Sequence, residues 1–147
     1  MRITKRLCDA RGSAVVEFIV IAVGIMVPVG YLIVAVASVL GAQAAAQHAV
    51  REAGRVFVRD LTLVAGEYRA RQAVDIAFAD RGLVIPDDAL TIECTPIRCL
   101  APGGTVDLEF AWNMPLPWLP PALDSFVSVP IRATGTFAID EYRPAGV

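Results

Sequence analysis

Polar positions are distributed unevenly along this chain. From Phe18 to Val50 there is no Asp, Glu, Lys or Arg, and Phe18 to Leu40 is a run of 23 predominantly apolar residues. Coiled as an α-helix at ~1.5 Å per residue, that run is about 34 Å long, enough to cross a hydrocarbon core of ~30 Å with slight tilt. A helix satisfies its own backbone hydrogen bonds in lipid. Pro28 removes one of those bonds and favours a kink, which a membrane tolerates better than water does. The competing reading is a buried core helix, but a core helix of this length ordinarily keeps a polar face, and this run has none. The pattern predicts a membrane-spanning helix over residues 13–41.

The helical pattern continues past the apolar run. Gly41 to Ala53 is Ala-rich, and Val50, Phe57, Leu61, Val64 and Tyr68 recur at spacings of three and four on one face. The spacing predicts one helix to about Leu63 and a second from about Gly66 to Asp80. The second carries Ala70, Ala73, Val74, Ala77 and Phe78, and Gly82 suits a helix C-cap. Residues 42–83 are expected to form an extracytoplasmic helical stalk. Arg51, Arg55 and Arg59 fall at i, i+4 and i+8. They could contact lipid phosphates or acidic groups of a neighbouring subunit; a solvated face accounts for them equally well.

Beyond Leu83 the period changes from helical to two. Leu90, Ile92 and Cys94 alternate with polar residues, as do Val106, Leu108, Phe110 and Trp112, and then Val127, Val129, Ile131, Ala133, Phe137 and Ile139. Three half-buried antiparallel strands follow, with Pro130 marking an edge. The expected fold is α+β: a long N-terminal transmembrane helix continuing outside the membrane, a second helix, and a small three-stranded antiparallel sheet over residues 84–147. The second helix is the nearest cover for the apolar sheet face.

Charge and composition narrow the function. Among 147 residues, 56% are hydrophobic and 19% charged, against soluble averages of ~45–50% and ~25%. Arg2, Lys5, Arg6 and Arg11 against Asp9 give the first twelve residues a net charge of +3, which favours a cytoplasmic N-terminus. Residues 51–147 carry nine Arg against thirteen Asp and Glu. This mildly acidic body offers no basic face for a nucleic-acid backbone. With one His (His48), one Lys (Lys5) and no GxxxxGK[ST] loop, the chain lacks a two-His metal site and a phosphate loop. A Ser/His/Asp site would have to use His48, in the Ala-rich run beside the apolar segment. No enzyme activity, metal or cofactor is expected.

Cys94 and Cys99 stand five apart around a Pro turn. No further Cys or His follows to complete a zinc site, and outside the cytoplasm a disulfide is the natural reading. The segment Met114 to Leu123, which contains Trp118, is a stiff apolar loop. It is either a subunit contact or headgroup-level anchor, or a loop packed back on the sheet.

The N-terminal flank carries the most specific signal. A short basic leader ends at Gly12, Ser13 follows, and Glu17 precedes Phe18 at the edge of the apolar run. A carboxylate there is costly in lipid unless it is paired or protonated. The arrangement resembles the cleavage site of type IV prepilins, in which a membrane-embedded prepilin peptidase cuts after the Gly. The resemblance implies a new amino terminus at Ser13 and loss of Cys8 with the leader. It also implies that Glu17 can neutralise the freed amine of a neighbouring subunit.

Taken with the Ala-rich stretch Gln47 to Arg55 and the small β-rich tail, residues 9–60 resemble the TadE-like pseudopilins of the tight-adherence (Tad/Flp) pilus system. Pro28 and Gly30 depart from the leucine-rich run common in such segments. The resemblance implies a minor pilin-like subunit used in assembling the pilus. Its partners would be cytoplasmic membrane lipids, the prepilin peptidase, and other pilins or pseudopilins with the assembly machinery. Glu17, Arg51, Arg55, Arg59 and Trp118 are candidate subunit contacts. Two alternatives remain at this stage. One is an unprocessed single-pass anchor bearing an extracytoplasmic binding module. The other is a secreted protein cut near Ala37 or Ala44, where A-x-A sequences occur.

Overall fold

The computed structural model describes residues 13–95, 98–118 and 127–142. Helix α1 runs from Ser13 to Arg59, with Pro28 inside it, and α2 spans Leu63–Ala79. Strands β1 (Leu90–Thr95), β2 (Thr105–Pro115) and β3 (Ser128–Ala138) form one antiparallel sheet in the order β1-β2-β3. The α+β architecture expected from the periodicities is the observed one. Two compact units divide between Val36 and Ala37, within α1.

In the first unit the large hydrophobic side chains of α1 are exposed, with Val16, Phe18, Ile21, Ile25, Leu32 and Ile33 each keeping more than half their surface, while Ala35 is buried. This is a helix long and apolar enough to cross a membrane. In the second unit the same helix becomes one-sided. Ala42, Ala45, Ala46, Ala49, Val50, Ala53 and Phe57 are buried, whereas Gln47, His48, Arg51, Glu52 and Arg55 are exposed.

That buried stripe shares one core with α2 and the sheet, so residues 42–83 are not a separate stalk. The sequence pattern assigned the cover of the sheet to α2; α1 shares it. Alanine is the reason, because a stripe without long side chains lets a helix backbone approach a sheet closely. At the nearest approach even alanine is too large: a Cβ on Gly54 would overlap the Phe137 ring, and one on Gly135 would lie 3.0 Å from Val50 Cγ1. The second helix adds Ala70, Val74 and Phe78. The Phe78 ring stacks on Phe110 at 4.9 Å and meets Trp112 edge-on at 5.8 Å.

The helix boundary falls earlier than the spacing suggested. α1 ends at Arg59, and Thr62 caps α2, its hydroxyl accepting from the Ala65 amide at 3.3 Å. The break rotates the following residues off the buried face. Val50 and Phe57 are in the core, but Leu61, Val64 and Tyr68 are 67–79% exposed. Gly66 does not break a helix; it lets α2 approach α1, since its Cβ would lie 3.3 Å from the Phe57 carbonyl oxygen. At the far end, Gly82 takes φ +68° and the Leu83 amide donates to the Phe78 carbonyl, closing the helix as a Schellman turn.

Sheet register fixes which strand atoms are free. The Ala111 amide donates to Ala89, so odd positions of β2 turn their backbone groups toward β1 and even positions toward β3. Pro130 pairs with the odd position Asn113. Its missing N–H therefore faces the open edge and costs no ladder bond. At that edge the Gln43 amide donates to the Arg132 carbonyl at 2.7 Å. At the opposite edge Arg71 Nη1 donates to the carbonyls of Asp87 and Leu90 at 2.8 and 3.2 Å.

Candidate processing site and interaction surfaces

Ser13, the residue that cleavage would make the new amino terminus, is helical in α1; Gly12 lies outside the described residues. Glu17 and Phe18 are both exposed. Ser13 and Glu17 are four positions apart, so the two share a helix face. Among the described residues, no cation forms an ion pair with Glu17.

The three arginines of α1 are exposed, as the i, i+4, i+8 spacing requires. They do not behave alike. Arg51 Nε donates to the Gln47 carbonyl at 3.1 Å. Arg55 lies 3.8 Å from Glu52, with both side chains more than half exposed; such a pair is worth ~0–1 kcal/mol. Arg59 ends the helix, where a cation suits the macrodipole. Trp118 is 81% exposed at φ +64°. The rest of that apolar loop, through Leu123, falls mainly outside the described residues. Cys94 and Cys99 are joined, with Cα atoms 5.1 Å apart.

Strand alternation builds a surface that motif reading passed over. On the outward side of the sheet, Glu93 stands directly opposite Asp107, and Thr91 opposite Glu109. Like charges facing each other across strands repel. Asp107 accepts a hydrogen bond from the Thr136 hydroxyl, but among the described residues no cation forms an ion pair with Glu93, Asp107 or Glu109. A concavity of about 120 Å³ is lined by these three carboxylates with Thr91, Thr134 and Thr136.

Next to it, a groove of about 510 Å³ runs between α1 and β3, lined by Gln47, Arg51, Arg132, Ala133 and Thr134. Thr134 borders both depressions. The signal for this surface was present in the sequence as the even parity of Arg132, Thr134 and Thr136, but pairing register was needed to bring the charges together. Elsewhere, Asp60 is buried at the α1–α2 turn, with Oδ1 2.9 Å from Arg69 Nη1. Among the described residues no group of three or more His, Cys, Asp or Glu is arranged to hold a metal ion.

No family model, curated protein or solved structure matches this chain.

Proposed function

We propose that this chain is a minor pilin-like (pseudopilin) structural subunit. It would serve assembly of a Tad/Flp-type pilus or a related secretion system, after a prepilin peptidase cuts between Gly12 and Ser13. The observation that carries the reading is the order of parts. A basic leader ends in Gly12, Glu17-Phe18 opens an apolar helix whose large hydrophobic side chains are exposed, and that helix runs on to Arg59, its later part in the core of a small α+β body.

The chemistry of Glu17 supports it. Cleavage would create an α-ammonium at Ser13, one helical turn from the carboxylate, so each subunit would bring both charges to the bilayer edge. Pairing, within a chain or between neighbours, removes the cost of carrying an isolated carboxylate into lipid. In this reading the N-terminus is cytoplasmic and the disulfide-bonded body extracytoplasmic, where a Cys94–Cys99 bond persists. The role is architectural rather than catalytic, with other pilins and the assembly machinery as partners.

The test is the intact mass and N-terminal sequence of the chain co-expressed with its prepilin peptidase. Mature protein starting at Ser13, and accumulation of uncut chain in Gly12→Ala, are the expected results. A start at Ser38 or Ala45 would make this a secreted protein, and an intact Met1 with the peptidase present would leave a plain membrane anchor.

A further inference from the structure

The outward face of the sheet carries both signs of charge side by side. Glu93, Asp107 and Glu109 form an acidic half that includes a directly opposed like-charged pair. Arg132 points to the same side from β3 and borders, at the open edge, the groove lined by Arg51 of α1, so the basic half runs from this face round that edge. Thr134 separates the two. No ion pair among the described residues links the halves or neutralises the acidic one.

We infer that this face is a contact between two copies of the chain, related by a two-fold axis beside Thr134. A rotation about that line carries the basic half of one copy onto the acidic half of the other. Arg51 and Arg132 then meet Asp107 and Glu109 of the second copy, and the same pairing forms in reverse. Such an isologous interface needs one patch that complements itself, and adjoining halves of opposite sign meet that condition.

Other partners fit less well. A flat anionic surface such as a lipid headgroup layer would attract Arg132 but repel Glu109, only one strand away on the same face. A uniformly acidic or basic protein would likewise satisfy one half and oppose the other. The contact requires no processing at Gly12, so its failure and the failure of the pilin reading are separable.

The experiment uses the full chain in membranes, with Cys8→Ser removing the leader thiol and Thr134→Cys placing one beside the axis. Mild oxidation should link the T134C chain into covalent dimers, whereas Val84→Cys, at a position 89% exposed and outside the face, should link poorly. In 1 M salt, where the screening length shrinks to ~3 Å, the T134C dimer yield should fall. R51E/R132E or D107R/E109R in the T134C background should each cut the yield about tenfold or more. Co-expressing the two charge-reversed chains should restore it, because the positions reversed by D107R/E109R in one chain then meet those reversed by R51E/R132E in the other with opposite sign. Retention of the Cys94–Cys99 bond checks that each variant folds. No linkage at T134C, linkage equal to that at V84C, or a yield indifferent to salt would overturn the two-fold contact.

Discussion

Both parts of α1 are rich in apolar residues, branched ones in the first and alanine in the second, and they are covered in opposite ways. Between residues 13 and 36 the Val, Ile, Leu and Met side chains point all round the axis, and nearly all are exposed. From residue 37 onward, Ala42, Ala45, Ala46, Ala49 and Ala53 form a single stripe that is 0–2% exposed, and charges occupy the other side. The first part is the more apolar, with Glu17 its one charge against Arg51, Glu52, Arg55 and Arg59 in the second. Angular distribution and side-chain size separate them as well: a stripe of alanines fits against a sheet, whereas a sleeve of branched side chains fits a surrounding of its own kind.

The sharpest way to break that comparison is to delete the same ring in each region. Phe110 is fully buried and stacked on Phe78, so Phe110→Ala should destabilise the 37–142 unit by ~3–5 kcal/mol through lost burial and a residual cavity. Phe18 is 71% exposed, and Phe18→Ala should leave that unit within ~0.5 kcal/mol. Denaturant midpoints of the full chain in detergent, followed by tryptophan fluorescence, would show it. Similar shifts from both variants would mean that the two regions unfold together and the contrast is false.

Strand parity made the sheet legible. The alternations around Leu90, Val106 and Ile131 led to the three strands and their common apolar face, and Pro130 marked the open edge. Two things were not legible. The break at Asp60 depends on the Thr62 cap and on the close seat that Gly66 gives α2, both of which are contacts rather than periodicities. An amphipathic count that runs Val50, Phe57, Leu61, Val64 and Tyr68 together therefore places three exposed residues on a buried face. The charged surface was hidden for a similar reason. Arg51 and Arg132 are 81 positions apart, and only the packing of α1 beneath β3 brings them to one groove. The candidate processing motif is the reverse case: it is written in local sequence, and Gly12 lies outside the described residues.

A charge introduced into each part of α1 sharpens the comparison at a smaller scale. Leu32→Arg places a cation on the fully apolar part, at a cost to membrane insertion of ~2.5–3.5 kcal/mol near a bilayer centre. His48→Arg places it on the exposed polar side of the second part, where no such cost arises. The fraction of chain resisting alkaline extraction from membranes should drop for the first and hold for the second. Equal retention would argue that residues 13–36 are covered by protein rather than lipid.

The smallest effect concerns helix ends, which matter differently in the two regions. Residues 13–36 run on into the rest of α1 with no C-terminal end to satisfy, but the packed unit must stop one helix and start another within three residues. Thr62 does this by accepting the Ala65 amide, one of the four donors that a helix start leaves without intrahelical partners. Thr62→Ala should cost ~1 kcal/mol, and Thr62→Ser should recover most of it because the hydroxyl is what the amide needs. Thr62 itself is exposed, so packing changes little in either variant, and the difference between them isolates the cap. If alanine and serine shift the denaturant midpoint equally, α2 is started by the seat of Gly66 against Phe57. Gly66→Ala would then be the damaging change, since its new Cβ would press on the Phe57 carbonyl oxygen at 3.3 Å.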